Sequence, residues 1–262
     1  MQPLYVQPLN YQGFENSPQN VLLIHGLFGS GDNFKALGKE LSETFQVYLV
    51  DALNHGQSPR LPSMQYQTQV EALLATLDAH HIESCHLLGH SMGGKLAMAT
   101  ALIAPERVNK LIVADMAPVA YKHGHNAEFN ALKSVNLATI ENRRDADASL
   151  DKYIAEPSIR QFLLKSLKKE NDQWHWLFDV DNLEQSYAQM IDWPFSEHSY
   201  AKPTLFIKGQ NSEYIKASYQ QAIMTQFPRA QLKVIAQAGH WLHAEKPRLF
   251  NRLVKDFFAS EN

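Results

Sequence analysis

The chain contains 262 residues, of which 45% are hydrophobic and 19% are charged, and its formal net charge is -3 at pH 7. This length and composition are typical of one large globular domain, or of a core domain that carries an insertion. Because the charge is near neutral and no basic block is present, we expect neither a nucleic-acid partner nor binding to an anionic membrane surface. No apolar run approaches the ~20 residues that a membrane-spanning helix needs.

The N-terminal segment and the cysteine content bear on the location of the protein. Residues 1–6 have neither the charged start nor the apolar core of a secretion signal. Cys85 is the one cysteine of the sequence, so an internal disulfide is excluded, and we expect it to be a small buried side chain. These features predict a soluble, cytoplasmic protein.

Strand-like and helix-like segments alternate along most of the chain. Short apolar runs, typical of strands that are buried on both faces, lead into segments with apolar residues at helical spacing. The elements predicted in chain order are a strand at 21–24, a helix at 32–44, a strand at 46–50, a helix at 66–79, a strand at 84–88, a helix at 92–103, strands at 110–114 and 204–207, a helix at about 213–226, a strand at 232–235 and a helix at about 247–259. This alternation predicts an α/β fold with a mostly parallel sheet flanked by helices on both faces. In such sheets, ligands bind beyond the carboxyl ends of the strands.

The alternation stops within residues 120–194. This stretch has a proline typical of a helix start at Pro157, and apolar residues that follow it, as far as Leu167, share one helical face. We predict that residues 120–194 form a mainly helical cap insertion over the strand ends. Residues 1–119 and 195–262 would then form the core.

One motif lies between the strand predicted at 84–88 and the helix predicted at 92–103. Ser91 is the centre of the sequence Gly89-His90-Ser91-Met92-Gly93, which fits the pattern Gly-x-Ser-x-Gly. A turn this sharp forces its central residue towards strained backbone angles, and the two glycines remove collisions with strand and helix. The hydroxyl is thereby presented above the sheet, at the positive end of a helix. The motif predicts Ser91 as a nucleophile.

A serine hydroxyl needs a base to take its proton, and the base needs a carboxylate to orient it. His240 follows the last predicted strand and faces the same sheet edge as Ser91. The carboxylate has two candidate sources, Asp115 after the strand at 110–114, and the loop that contains Ser212 and Glu213. We favour Asp115, because the chain order serine, aspartate, histidine is the one expected around such a turn.

The remaining needs of acyl transfer are donors for an oxyanion and a substrate pocket. We predict the backbone N–H groups of Leu27 and Met92 as the donors, since Leu27 lies in a glycine-rich turn directly after the first predicted strand. Candidate pocket residues are His25, Trp174, Trp176 and Trp241. The aromatic side chains between residues 120 and 194 either pack in a core or line an apolar acyl pocket. The sequence alone does not distinguish these two alternatives.

Metal and cofactor chemistry receive no support from the sequence. The chain has 12 histidines, but the pairs His80-His81 and His123-Gly124-His125 come with no cysteine or acidic set at ligand spacing. Neither a phosphate-binding glycine loop nor a dinucleotide-binding glycine motif occurs. We therefore expect neither a metal ion nor a cofactor.

Several segments together resemble the α/β-hydrolase superfamily. They are residues 25–29, Asp51 with residues 55–58, residues 89–94 and residues 239–240. Further segments resemble bacterial esterases of that superfamily, namely residues 54–56, 117–118, 161–165 and 239–247. The resemblance implies an α/β-hydrolase fold and a cofactor-free serine esterase or thioesterase. Its substrates would be small acyl esters or thioesters, with acyl-CoA among them.

The same resemblance implies roles for individual residues. Ser91 would be the nucleophile and His240 the base. The superfamily usually has an aspartate where this chain has Ser212, which favours Asp115 as the acid and Ser212 as a hydrogen-bonding helper. Two alternatives stay open, namely a carbon–carbon bond hydrolase or lyase that uses the same serine, and a ligand-binding module without turnover.

Overall fold

A central twisted sheet organises the computed structural model, which describes residues 1–9, 11–13 and 18–260. Its strands are β1 (Val6–Leu9), β2 (Asn20–Ile24), β3 (Gln46–Val50), β4 (Cys85–His90), β5 (Val108–Ala114), β8 (Thr204–Gly209) and β9 (Ala230–Ile235), in the spatial order β1-β3-β2-β4-β5-β8-β9. All neighbouring strands are parallel except β1 and β3, which are antiparallel. The carboxyl ends of β4, β5, β8 and β9 therefore lie along the same edge.

Helices cover both faces of this sheet. The helices outside residues 120–194 are α1 (Lys35–Leu41), α2 (Tyr66–Ala79), α3 (Met92–Ile103), α9 (Gln220–Gln226), α10 (Leu242–Glu245) and α11 (Pro247–Ala259). One core cluster packs α2 and α3 against the sheet, and the other packs α1 and α11 against the opposite face. Side chains of β2 alternate between the clusters, as the pleat of a strand requires, because Leu22 and Ile24 enter one core and Val21 and Leu23 the other. Within the described part of the chain, no helix has the length and apolar character needed to cross a membrane.

Three local elements differ from the predictions. The sequence pattern did not reveal β1, a short edge strand whose Pro8 is tolerated because an edge strand does not need every ladder donor. The helix predicted at 32–44 is a 3-10 turn followed by the shorter α1. The helix predicted from 213 begins later, because the backbone groups of Tyr214 bond to Ser212 and Tyr121 instead of to a helical ladder.

Residues 120–194 lie between β5 and β8 and contain five helices and a two-stranded hairpin. The elements are α4 (Asn126–Ser134), α5 (Arg143–Leu150), α6 (Pro157–Lys165), β6 (Leu167–Glu170), β7 (Gln173–Trp176), α7 (Val180–Gln185) and α8 (Tyr187–Ile191). The stretch is mainly helical, but Leu167 begins a strand and does not lie on a helix, because β6 and β7 pair as an antiparallel hairpin. Asn171 and Asp172 form its turn with φ of 48° and 61°, a conformation that short hairpin turns favour. The cap boundaries stay a prediction.

A buried lysine ties the end of this stretch to the helix that follows Ser91. Lys95 Nζ donates hydrogen bonds to the backbone oxygens of Ile191 and Asp192, at 2.8 and 2.9 Å. Its ammonium also lies 4.9 Å from the centre of the Tyr121 ring, within cation–π range. Burial lowers the pKa of Lys95 to about 7. The chain that returns from residues 120–194 to β8 is thereby anchored next to Ser91.

Candidate active site

Ser91 occupies a strained turn between β4 and α3. Its backbone has φ 54° and ψ -120°, outside the regions that side chains other than glycine favour. A Cβ on Gly89 would lie 2.0 Å from the oxygen of Gly93, and a Cβ on Gly93 would lie 2.4 Å from the oxygen of His25. Glycine is therefore required on both sides of the serine, as the motif predicts. The Ser91 N–H donates a hydrogen bond to the backbone oxygen of Ala114 over 3.0 Å, an ordinary length for such a bond.

The structure brings Ser91, His240 and Asp115 together from three strand ends. The Ser91 hydroxyl donates to His240 Nε2 over 2.9 Å, and His240 Nδ1–H donates to Asp115 Oδ2 over 2.7 Å. Asp115 is fully buried, and the side chain of His240 is 15% exposed. The ring nitrogen is thus placed to accept the serine proton, while the carboxylate fixes its tautomer.

The Asp115 carboxylate is held by further donors. The Gly209 N–H donates to Oδ1 over 3.1 Å, and the buried Ser212 hydroxyl donates to Oδ2. A buried carboxylate needs such bonds, because an unpaired buried charge is strongly destabilising. Glu213, the other candidate acid, instead pairs with Lys216 at 3.2 Å and has a side chain that is 85% exposed. The structure therefore brings Asp115, and not Glu213, to His240.

The two predicted oxyanion donors lie beside Ser91. Leu27 and Met92 both border the larger cavity at the serine. Neither backbone N–H donates to an acceptor among the residues that the structure describes. The turn around Leu27 is held by its neighbours, since the Phe28 N–H donates to His55 Nε2 over 3.1 Å. Two free amides next to a serine hydroxyl are what an oxyanion hole needs.

Three of the four predicted pocket residues lie away from the cavities at Ser91. His25 is buried, with Nδ1 bonded to the Gly26 oxygen at 2.7 Å and Nε2 accepting from the Ala52 N–H at 3.1 Å, so it braces two loops. Trp176 stacks on Phe178 at 5.6 Å, and Trp174 lies in the β6–β7 hairpin. The assignment of His25, Trp174 and Trp176 to the pocket is thus corrected. Trp241 does border the smaller cavity beside His240.

Neutral histidines surround His240. His90 Nε2–H donates to the backbone oxygen of His240 over 2.9 Å, and burial holds the pKa of His90 well below its usual value. Burial also lowers the pKa of His243 to about 3 and that of His125 to about 4. These rings are uncharged near neutral pH, so they add no positive charge next to the His240 imidazole.

Tyr214 is a site residue that the sequence did not reveal. Its ring stacks on the His240 imidazole with centroids 4.0 Å apart and an angle of 23°. The backbone of Tyr214 is fixed at both ends, since its N–H donates to Ser212 Oγ over 3.3 Å and its oxygen accepts from the Tyr121 hydroxyl over 2.6 Å. Burial raises the pKa of Tyr214 to about 12, so the ring stays a neutral phenol. The one signal in the sequence is its place two residues after Ser212.

Two cavities meet at Ser91. The larger has a volume of about 460 Å³ and the smaller about 30 Å³, and both are bordered by Leu27, Ser91 and His125. Among the described residues, no group of three or more histidine, cysteine or acidic side chains is arranged to hold a metal ion.

Comparison with known proteins places the chain in a family. A family model described as the alpha/beta hydrolase fold matches residues 19–247. The Escherichia coli (strain K12) protein named esterase YbfF is 39% identical over 246 residues, which are 92% of this chain and 93% of that protein. The Mus musculus sn-1-specific diacylglycerol lipase ABHD11 is 37% identical over 247 residues, which are 91% of this chain and 80% of that protein.

A solved structure gives the same result. A marine microorganism esterase is 34% identical and superimposes with a TM-score of 0.92, covering 98% of this chain and 100% of its own. The chain belongs to the α/β-hydrolase family, and the fold predicted from its sequence is confirmed.

The stacked ring leads to a prediction for variants of Tyr214. We expect Tyr214→Leu to lower kcat by about tenfold on an activated ester such as p-nitrophenyl butyrate, because the developing imidazolium loses the attraction of the aromatic face. The matched control is Tyr214→Phe, which keeps the ring and should stay within about threefold of the parent. A Leu variant as active as the parent, or a Phe variant as impaired as the Leu variant, contradicts this role.

Proposed function

We propose that Ser91, His240 and Asp115 act together as the catalytic residues of this enzyme, an ester hydrolase of the α/β-hydrolase family, through an acyl-enzyme intermediate. The observation that carries the proposal is the continuous pair of hydrogen bonds, 2.9 Å from the serine hydroxyl to the imidazole and 2.7 Å from the imidazole to the buried carboxylate. The esterase and lipase relatives, which align over nine-tenths of the chain, support carboxylic esters as the substrates.

In the first step, Ser91 Oγ attacks the ester carbonyl carbon while His240 Nε2 takes the hydroxyl proton. Asp115 stabilises the imidazolium that forms, because its charge is close and shielded from water. The negative charge on the former carbonyl oxygen is held by the N–H groups of Leu27 and Met92. Each such donor typically stabilises the transition state by about 3 kcal/mol.

The tetrahedral intermediate then collapses towards the acyl-enzyme. His240 gives its proton to the leaving oxygen, and the alcohol departs. Water takes its place, His240 Nε2 removes a proton from it, and the resulting hydroxide attacks the acyl carbonyl. The acid leaves, and the proton returns to Ser91 Oγ.

Thioesters are a second group of substrates within the same proposal. A thiolate is a better leaving group than an alkoxide. Residues that hydrolyse an ester can therefore also hydrolyse a thioester without a further catalytic group. Acyl-CoA hydrolysis would thus need room for the thiol and no new chemistry. Free thiol release from a short acyl-CoA, followed with a thiol reagent, tests this extension, and a rate no greater than that of Ser91→Ala contradicts it.

We also propose a cytoplasmic location for the protein. The one cysteine of the sequence, Cys85, is buried and free, and burial raises its pKa to about 12, so it is a packing residue and no disulfide is needed for the fold. Fractionation of the source cells tests this location, and recovery in a membrane or secreted fraction contradicts it.

Replacement of the nucleophile is the direct test of the function. We expect Ser91→Ala to lower kcat on p-nitrophenyl butyrate by a factor on the order of 10⁶, as removal of a nucleophile does in other triads. Circular dichroism of the variant should match the parent. Retention of more than a few per cent of the activity contradicts the assignment, and faster cleavage of diketones than of esters by the parent would favour carbon–carbon bond hydrolysis instead.

The two candidate acids give a matched pair of variants. We expect Asp115→Asn to lower kcat by about 10⁴-fold, because the amide no longer holds the His240 tautomer and no longer stabilises the imidazolium. Glu213→Gln should stay within about twofold of the parent, because this side chain is exposed and paired with Lys216. Steady-state kinetics at several pH values measures both, and the reverse ranking contradicts the choice of Asp115.

A further inference from the structure

The two cavities at Ser91 border different parts of the catalytic machinery. The cavity of about 460 Å³ borders Met92 and the covering ring of Tyr214. The cavity of about 30 Å³ borders the imidazole of His240 itself. Ser91 thus lies between a large space on the side of Met92 and a small space on the side of His240, and Leu27 borders both.

Proton transfer decides which part of a substrate enters which space. His240 Nε2 must reach Ser91 Oγ in the first half of the reaction and the leaving oxygen in the second, so the leaving group has to lie on the His240 side. The acyl carbonyl oxygen points at the same time to the amides of Leu27 and Met92. With the oxyanion and the leaving group so placed, the acyl chain extends into the larger cavity.

The walls of the larger cavity suit an acyl chain. Met116, Met190 and Ile191 supply apolar surface, and thioether side chains adapt to chains of different shape. The volume of about 460 Å³ lies within the range of small-molecule pockets. Lys122 and Lys216 also border the cavity, and both residues are exposed to solvent.

Two aromatic rings form part of the wall of the smaller cavity. Phe162 from α6 and Trp241 from the loop after β9 lie with their ring centres 5.7 Å apart. Ile159 and Leu163 complete its apolar wall. A volume of about 30 Å³ is enough for a water molecule, which needs about 10–15 Å³ of cavity, and it is far smaller than the neighbouring cavity. The space beside His240 therefore fits the attacking water, or the first atoms of a slender leaving group.

We propose that the enzyme selects esters and thioesters that join an acyl chain of several carbons to a primary, unbranched alcohol or thiol. The acyl chain fills the larger cavity, and Phe162 and Trp241 exclude branching at the carbon next to the leaving atom. This assignment rests on the proposed function of Ser91 and His240. Phe162 and Trp241 would then determine specificity for the alcohol or thiol, and the residues that line the larger cavity would determine specificity for the acyl chain.

Two series of esters separate the halves of the substrate. The first varies the alcohol on a fixed acyl group, as ethyl, isopropyl and tert-butyl hexanoate. The second varies the acyl group on a fixed alcohol, as ethyl acetate, butanoate and hexanoate. Acid release at constant pH gives kcat/KM for each. For the parent enzyme we expect ethyl over isopropyl hexanoate by at least about tenfold, and hexanoate over acetate by about tenfold or more.

One variant of each cavity shows which space serves which half. Phe162→Ala widens the smaller cavity, so the preference for ethyl over isopropyl hexanoate should fall by about tenfold, while the preference for hexanoate over acetate stays within about twofold. Met190→Trp fills the larger cavity and should have the opposite pair of effects. Leu163→Ala and Ile191→Phe repeat the test at neighbouring positions if thermal melting shows either variant to be unfolded.

Each outcome either supports or overturns the assignment. It is overturned if Phe162→Ala alters the acyl-length preference and Met190→Trp alters the alcohol preference, since the two halves of the substrate would then lie the other way round. Equal rates on tert-butyl and ethyl hexanoate in the parent enzyme also overturn it. Failure of the proposed function itself is a separate result, because it would appear as ester hydrolysis that survives Ser91→Ala.

Discussion

The backbone of Ser91 holds a φ of 54° because strand β4 runs into helix α3 with no room for a side chain on either flank. Gly89 and Gly93 remove the atoms that would collide, and the serine N–H is bonded to the end of β5. This close approach sets the direction of the hydroxyl and leaves the Met92 amide free at the start of α3. The two neighbouring cavities, the backbone amides of Leu27 and Met92 and the imidazole of His240 all lie around that one fixed point.

The other members of the site come from strand ends that the parallel sheet brings to the same edge. Asp115 follows β5 and His240 follows β9. Strand β8 pairs with both of these strands, so their carboxyl ends are held on either side of it. Burying a carboxylate is unfavourable unless donors surround it, and here the imidazole, the Gly209 N–H and the Ser212 hydroxyl do so. The hydrogen bond that helps to stabilise the buried Asp115 carboxylate also fixes the orientation of the His240 imidazole.

Residues at strand ends could be predicted from the sequence, because apolar runs mark parallel strands and the residues that follow them must share an edge. Ser91, His240 and Asp115 were predicted in this way to lie together, and they do; glycine spacing indicated the turn at the serine. Side-chain packing between distant segments leaves no such local pattern. The stacking of Tyr214 on His240 could therefore not be predicted from the sequence. The same holds for the hydrogen bonds from Lys95 to the backbone of Ile191 and Asp192. Trp174 and Trp176 lie in a hairpin that turns at Asn171 and Asp172, away from Ser91, and the sequence analysis did not predict this hairpin.

Covalent labelling tests most directly whether the strained turn presents an activated serine. The intact protein would be incubated with a fluorophosphonate, digested and mapped by mass spectrometry, with heat-unfolded protein as the control. The account predicts one phosphonyl group per chain, located on Ser91, and no labelling after unfolding. A folded protein that remains unlabelled, or that is modified at another serine while Ser91 stays free, would contradict it.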